Sequence, residues 1–213
     1  MTTTSYAILG LLAIKPWTTY ELVAQVERSL RRFWSRAQSK LYEEPKKLVA
    51  LGYARAVQEH EGRRPRTRYA ITPAGRRALK AWLAEPGAGP ELEFEQLVKI
   101  HFTDSGTKQD ILANLAATIE WAHQQNAENL ATGRRVLAGE SPFPQRAAIN
   151  HLVGGFLTSY YTMVAEWALW ATSVVQTWPD NPTDAQPDPR VVRRIVRDAE
   201  ALDRLTSTAN RRQ

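Results

Sequence analysis

In one region of this chain, core-facing and cationic side chains alternate with a period of two residues. That region constrains the fold more than any other. Two short runs, "YARAVQEH" and "RTRYAIT", are joined by the turn "EGRRP". In the second run Tyr69 and Ile71 lie on one side of a predicted strand, and Arg66 and Arg68 lie on the other. The Thr-Pro pair that follows is typical of an N-cap and a first helical residue. The segment therefore predicts a β-hairpin with a basic tip, followed at once by a helix.

Three helical patterns precede the hairpin. Ser5 is the candidate N-cap of the first, and Thr18 with Glu21 predicts a capping box at the start of the second. The third places Leu41, Leu48 and Leu51 on one side and stops at a glycine. The order helix, helix, helix, strand, strand, helix predicts a winged helix-turn-helix. In that fold the third helix enters the DNA major groove and the hairpin, or wing, contacts the backbone or the minor groove.

Cationic and polar side chains of the third helix and the hairpin are the predicted DNA-binding residues. Arginine and lysine bond guanine edges or phosphates, glutamine bonds adenine, and tyrosine and serine reach phosphates or bases. The set is Arg36, Gln38, Ser39, Lys40, Tyr42, Lys46 and Lys47 in the helix, with Arg63, Arg64, Arg66 and Arg68 in the hairpin. An ordinary solvated helix face and a plain charged loop are the alternatives. Pro45 removes a backbone hydrogen bond, so the helix is either kinked there or begins near Glu44.

The distribution of charge indicates the class of partner, and the lack of cysteine and of a secretory signal indicates the cellular compartment. Residues 1–90 hold 16 Lys and Arg against 7 Asp and Glu, whereas residues 91–213 hold 12 against 15. A basic first part on a mildly acidic remainder is expected when one domain meets a polyanion, although a chance bias of the surface gives the same count. The chain has no cysteine, which excludes disulfides and thiol chemistry. The N-terminus lacks the pattern of a secretory signal, so we expect a cytoplasmic protein.

The segment "AEPGAGPELE", residues 84–93, separates two predicted domains. Residues 1–88 are the expected DNA-binding domain, and residues 89–213 the expected all-helical dimerisation domain, so the fold class is mainly α. Between His151 and Asp180 only Glu166 is ionised, which raises the question of a membrane span. The central glutamate, a Gly-Gly pair and the absence of flanking basic clusters argue against one. A soluble helix this apolar fits the core of a homodimer.

Aromatic residues of the second domain define a candidate effector pocket for a small apolar or aromatic ligand. Tryptophan faces supply stacking and tyrosine hydroxyls supply orientation. The candidate residues are Trp121, Tyr160, Tyr161, Met163, Trp167 and Trp170. Simple packing of the helices is the alternative, and Glu166 is either an acid of the pocket or the partner of an arginine.

Catalytic and metal-binding patterns are lacking from the sequence. The four histidines are dispersed, and neither HExxH nor GxSxG nor a phosphate-binding glycine loop occurs. We therefore predict no catalytic residue, no metal ligand and no cofactor, and expect that the protein is not an enzyme.

Three segments, "YAILGLLAIKPWTTYEL", "SKLYEEPKKLVALGY" and "RYAITPAGRRALKAWL", resemble the PadR family of bacterial transcription regulators. The resemblance is strong over roughly residues 5–85 and weaker over the helical remainder. It implies a homodimeric DNA-binding repressor that is relieved by a small molecule. A dimer should prefer an inverted-repeat operator. The resemblance also implies that the segment from Ser39 to Tyr42 opens the recognition helix, that the wing from Arg63 to Arg68 contacts the backbone, and that the C-terminal helices dimerise.

Two positions depart from the family pattern. Thr19 stands where the family usually has glycine, and Pro45 stands where an apolar helix residue is more usual. The alternative function is a small-molecule sensor or protein-interaction module whose winged helix binds no specific DNA. An RNA-binding module is a further alternative, with few exposed aromatic residues on a sheet to support it.

Overall fold

The computed structural model describes residues 1–34, 38–61, 64–141 and 143–210. Within these ranges the chain forms eight α-helices and one small antiparallel sheet of three strands. It divides into two compact units, Met1–Pro90 and Glu91–Gln213. The predicted fold class, mainly α with an N-terminal winged helix-turn-helix, is confirmed. The assignment of DNA binding to the first unit and of dimerisation to the second stays a prediction.

The first unit is built from four helices around the sheet. In chain order its elements are α1 (Thr3–Ile14), β1 (Trp17–Thr18), α2 (Thr19–Ser29), α3 (Gln38–Ala50), β2 (Ala54–Glu61), β3 (Arg64–Ile71) and α4 (Pro73–Leu83). The strands lie in the order β1-β3-β2, so Tyr69 of β3 pairs with Trp17 on one side and with Ala56 on the other. Strand β1 was not predicted from the sequence, because two residues are too short to show alternation.

Helix starts in this unit follow capping chemistry. The Glu21 amide donates to Thr18 Oγ1 at 3.2 Å and the Thr18 amide donates to Glu21 Oε2 at 2.7 Å, which confirms the predicted capping box. The prediction of Ser5 as the first N-cap is wrong. Thr2 is the N-cap, and Ser5 is its partner three residues later. In a run of threonines and a serine the sequence offers several equivalent caps, and packing selects one.

Helix α1 lies at the centre of the first unit and packs against α3, α4 and β3. The indole of Trp17 donates to the Leu11 carbonyl at 2.8 Å, and the ring of Tyr6 stacks on Trp82 at 4.8 Å. The fully buried apolar side chains of this core include Ile8, Leu9, Leu12, Leu22, Leu41 and Leu48. Because Leu41 and Leu48 belong to α3, the core fixes which face of α3 is turned outward. The prediction that Leu51 lies on the same side is wrong, because α3 ends at Ala50 and Leu51 is half exposed.

Gly75 lets α4 approach the loop after α3, and we expect Gly75→Ala to destabilise the first unit. A Cβ atom at this position would lie 2.1 Å from the Tyr53 carbonyl oxygen, a backbone atom that cannot rotate away. Overpacking of this kind typically costs about 1–3 kcal/mol of unfolding free energy, which urea unfolding would measure. Gly10→Ala in α1 is the control. Its Cβ would meet nothing within 4 Å, and it should be neutral or stabilising. Equal losses in both variants would contradict the steric explanation.

The second unit is a helical hairpin with shorter elements around it. Its helices are α5 (Glu95–His101), α6 (Lys108–Leu137), α7 (Ala147–Gln176) and α8 (Pro189–Asn210), with single 3-10 turns at Thr103–Ser105, Pro144–Arg146 and Pro182–Asp184. The Lys108 ammonium at the start of α6 donates to the carbonyls of Gln176 and Trp178, at 2.9 and 2.6 Å, just where α7 ends. Helices α6 and α7 are therefore antiparallel. Their buried core comprises Ile111, Leu115, Ala168 and Val175.

Helix α7 is the apolar segment that raised the question of a membrane span. Among the residues that the structure describes, no helix is long and apolar enough to cross a membrane.

Candidate DNA-binding surface

Helix α3 runs without interruption from Gln38 through Pro45 to Ala50. The alternative of a regular helix that begins only near Glu44 is therefore wrong. Pro45 lies on the buried side together with Leu41 and Leu48. Packing against α1 and α2 holds this helix in place, even though proline at an internal position removes one backbone hydrogen bond.

The outward face of α3 carries three of the predicted cations and one acid that was not predicted. The exposed side chains include Lys40, Tyr42, Glu43, Lys46 and Lys47. Glu43 precedes Lys46 and Lys47 by three and four residues, so the three side chains are neighbours on the helix surface. The set predicted from the sequence held only cationic and polar donors and therefore omitted Glu43. Its spacing from the two lysines was the signal that could have found it.

A buried carboxylate anchors α3 to α1. The Ser5 hydroxyl, fully buried in α1, donates a hydrogen bond to Glu44 Oε1, and Glu44 itself is only 8% exposed. The Lys47 ammonium lies 3.8 Å from the same oxygen. Glu44 thus accepts a hydrogen bond at the helix–helix contact and sits beside a cation, the environment that a buried carboxylate requires. Lys47 therefore lies beside Glu44 as well as on the face predicted to bind phosphate.

The wing pairs arginines with acids across its two strands. Arg66 of β3 lies opposite Glu59 of β2, and the register brings Arg64 opposite Glu61 nearer the tip of the hairpin. The Arg66 side chain is exposed. Arg36 and Arg63 lie outside the described residues, as do the side chains of Gln38, Ser39 and Arg64.

Arg68 lies at the base of the wing, where it connects three segments. Its Nε donates to Glu59 Oε2 at 2.8 Å, and its Nη1 donates to the Pro16 carbonyl at 3.4 Å. The same Nη1 lies 3.8 Å from Glu21 Oε2 at the start of α2. The Thr18 backbone amide lowers the pKa of Glu21 and partial burial opposes this, while the Thr18 hydroxyl, Arg68 and Lys15 lower it further. Glu21 is therefore ionised at neutral pH and attracts Arg68.

We expect Arg68→Ala to loosen the wing without removing a phosphate contact. Its ion pairs are partly exposed, and pairs of this kind contribute about 0.2–1 kcal/mol each. The slope of log affinity against log salt for duplex DNA should stay at the wild-type value, whereas urea unfolding should show a small loss of stability. Arg66→Ala is the comparison and should lower that slope by about one unit. If the salt slope fell equally in both variants, Arg68 would bind a phosphate, as predicted from the sequence, and the structural role would be contradicted.

The predicted effector residues lie in two places in the second unit. Trp121, Tyr160 and Tyr161 form an aromatic cluster, with ring centroids 5.8–6.3 Å apart. Phe94, which was not among the predicted residues, joins Trp121 at 6.5 Å and Trp167 at 6.2 Å. These rings contact one another in T-shaped and tilted arrangements, which favours a packing role there.

The remaining three, Met163, Trp167 and Trp170, line an open cavity of about 340 Å³ between α7 and α8. Arg194 of α8 lies over the Trp170 ring at 4.4 Å, and its Nε is 3.5 Å from Asp198 Oδ2. The other residues of the lining are Glu166, Ile195 and Asp198. An indole face, a guanidinium and two carboxylates therefore meet at one place, and its use for a ligand stays a prediction.

Groups of three or more side chains able to hold a metal ion do not occur in the part of the chain that the structure describes.

Each of the two units matches the model of a known protein family. The model of the transcriptional regulator PadR-like family matches residues 8–81, which span α1 to α4, and the model of the virulence activator alpha C-terminal region matches residues 95–176, which span α5 to α7. Residues 8–81 therefore form a domain of the PadR-like family of transcriptional regulators. A curated PadR relative, the negative transcriptional regulator PadR of Bacillus subtilis (strain 168), is 30% identical over 107 residues, which are 49% of this chain and 59% of the relative.

Solved structures of PadR proteins share the fold. Bacillus subtilis PadR in complex with operator DNA superposes with a TM-score of 0.74 at 22% identity, over 82% of this chain and 98% of that one. The same PadR in complex with p-coumaric acid has a TM-score of 0.66 at 21% identity, over 82% and 99% of the two chains. The Vibrio cholerae virulence activator AphA has a TM-score of 0.61 at 21% identity, over 80% and 96%. Residues 177–213, which include α8, lie outside both matching family models.

Proposed function

We propose that this PadR-like protein is a cytoplasmic repressor that binds an inverted-repeat operator as a homodimer. The observation that carries the proposal is the cationic outer face of α3, with Lys40, Lys46 and Lys47, beside a hairpin whose Arg66 is exposed. A helix with such a face fits the major groove, and a basic hairpin beside it fits the adjacent backbone. The name of the Bacillus subtilis relative, a negative regulator, favours repression over activation.

Within this surface the lysines and Glu43 have different tasks. Lysines contribute mainly through phosphates, which give affinity without sequence information. A carboxylate repels phosphates and so weakens the phosphate contacts of Lys46 and Lys47 beside it. Phosphate binding therefore does not account for an exposed Glu43 on this surface. Carboxylates accept hydrogen bonds from the N4 amino group of cytosine. We therefore assign to Glu43 the selection of a cytosine in the half-site.

The homodimer is supported by an exposed apolar stripe on α7. Ile149, Leu152 and Phe156 are exposed and recur at spacings of three and four residues, which places them along one face of the helix. Exposed apolar stripes of this length on a single chain are typical of protein interfaces. A second copy that packs its own α7 against this face would bury both stripes about a two-fold axis.

A small aromatic ligand is the proposed effector, bound at the cavity between α7 and α8. The Trp170 ring supplies a stacking surface, and Arg194 supplies a cation for an acidic group. The structure of Bacillus subtilis PadR with p-coumaric acid supports this class, because that ligand is an aromatic carboxylic acid.

Fluorescence anisotropy of duplex DNA across a salt series tests the function. The probe is the region upstream of the protein's own gene, and an unrelated duplex of equal length is the control. We expect tight, salt-sensitive binding that favours the upstream duplex and weakens when an aromatic carboxylic acid is added. Equal and weak binding to both duplexes would contradict the proposal and favour the protein-interaction alternative.

A further inference from the structure

Helix α4 carries a cationic stripe that is not part of the α3 and wing surface. Arg76, Arg77 and Lys80 are exposed, and residues 73–83 contain no acid. Positions 76 and 77 precede position 80 by four and three residues, so the three side chains are neighbours on the helix surface. In the part of the chain that the structure describes, none of the three forms an ion pair with a carboxylate.

The stability of α4 itself does not account for this clustering. Cations on α5 and α8 have acids four residues away as partners, for example Lys99 with Glu95 at 3.0 Å. In α4, Arg76 and Lys80 have that same spacing and repel each other. Arg76 also lies near the start of the helix, where the helix dipole favours acids, and the first turn contains none. A bound anion would remove both of these unfavourable effects.

The inner face of α4 is fixed, so the stripe points in one direction. Gly75 is buried against the Tyr53 carbonyl, and the Trp82 ring stacks on Tyr6 of α1 at 4.8 Å. The buried or partly buried positions of α4 include 75, 78, 79 and 82. At 100° per residue the centre of the stripe lies roughly 150° around the helix from these positions. The core therefore presents the three cations to solvent as a preorganised set.

The stripe and the outer face of α3 are separate surfaces. Ser5 of α1 contacts Glu44 of α3, whereas the next residue, Tyr6, contacts Trp82 of α4. Successive residues of a helix point about 100° apart. Helices α3 and α4 therefore pack on different sides of α1, and their outward faces point in different directions. A straight duplex held against α3 does not lie along the α4 stripe.

Phosphates of duplex DNA are the anions that fit the stripe best. A duplex carries one negative charge per ~1.7 Å of its axis, so neighbouring phosphates can meet several cations at once. Arginine and lysine bind phosphates in any sequence context. While α3 holds one DNA segment, further segments of the same DNA are present at a high effective concentration, which favours a weak second contact.

We propose that the α4 stripe binds the phosphates of a second DNA segment while α3 and the wing hold the operator, so that the protein bridges two duplexes. The proposal rests on the proposed function, because the bridge needs operator-bound protein. The second contact has no sequence preference, since it uses phosphates alone. With three cations in each stripe, the log of affinity for the second duplex should fall against log salt with a slope of about three.

Retention of a labelled duplex on beads tests the bridge. The beads carry the duplex from upstream of the protein's gene, are saturated with the full chain and washed, and then receive a fluorescent unrelated duplex at low salt. We expect the wild-type protein to retain the labelled duplex and the variant Arg76→Ala/Arg77→Ala/Lys80→Ala to retain about 10-fold less. The charge-matched control replaces the exposed residues 134, 135 and 197, all arginines of the second unit, by alanine and should retain as much as the wild type.

Anisotropy titration of the upstream duplex alone tests whether the stripe is separate from the operator contact. The α4 variant should keep the wild-type affinity and salt slope there, because its three side chains do not touch that duplex. A lower slope in this variant would place the stripe on the operator and overturn the bridge. Alanine has the highest helix propensity, and circular dichroism spectra confirm that the variants compared are equally folded.

The outcomes separate the bridge from the proposed function. A wild-type protein that binds the upstream duplex no better than an unrelated one would overturn both. Specific binding of the upstream duplex without retention of the labelled duplex would overturn the bridge alone and leave an acidic protein or solvent as what the stripe meets. Equal retention by the wild type and the α4 variant would likewise overturn it, because another surface would then hold the second duplex.

Discussion

Replacing Lys40, Lys46 and Arg66 together by alanine is expected to lower the salt slope of DNA binding by about three units, close to one for each phosphate that the variant no longer neutralises. Affinity should fall for the upstream duplex and for an unrelated duplex by similar factors. The physical reason is that each cation displaces a condensed counterion from the DNA, and the released ions supply sequence-independent free energy. The three side chains are exposed on the outer face of α3 and on the wing.

Anisotropy titrations from low to moderate salt give the slopes directly. The control replaces Arg134, Arg135 and Arg197 by alanine, which removes the same charge from exposed positions of the second unit. That variant should keep the wild-type slope. Should the slope fall equally in the two triple variants, net charge alone would account for binding, and the α3 and wing surface would have no special role.

Glu43→Gln is expected to separate affinity from specificity. Removing the carboxylate beside Lys46 and Lys47 should strengthen binding to an unrelated duplex, because the lysines then face phosphates without a competing negative charge. Discrimination between the upstream and the unrelated duplex should fall about 10- to 100-fold, since a good base contact contributes about 1–3 kcal/mol of selectivity. Glutamine keeps the size of the side chain, so packing of α3 is unaffected.

Competition titrations with duplexes that vary one base pair at a time locate the position at which selectivity falls. The wild-type protein should prefer cytosine at one position of each half-site, and the variant should not. Glu85→Gln, at an exposed position after α4, neutralises an acid of the same unit and is the control. An unchanged ratio of specific to unrelated binding in Glu43→Gln would remove Glu43 from base recognition.

Local patterns predicted the fold of the first unit well. The alternation around Tyr69 and the capping box of Thr18 and Glu21 each depend on residues within a few positions of one another, and both are confirmed. Where several local solutions were equivalent, prediction was wrong or undecided. Ser5 was one of several possible caps, and the effect of Pro45 on α3 depended on what packs behind it.

The candidate site shows the same division. The exposed lysines of α3 and the wing arginines follow from helical and strand periodicity. The role of Arg68 does not, because Glu59 and Pro16 reach it only when the strands pair and β1 joins the sheet. The separation of the predicted effector residues into an aromatic cluster and an α7–α8 cavity likewise depends on how three helices pack.

The sequence by itself determined the order of elements in the first unit, its basic character and the helical nature of the second unit. These properties are local, since they depend on spacing and charge along the chain. Only the tertiary structure decided that Glu44 is buried against Ser5, that Arg68 connects the wing to α2, and that Arg194 of α8 lies over the Trp170 ring of α7. Each of these depends on contacts between residues far apart in sequence. No local pattern specifies which distant side chain will make the contact.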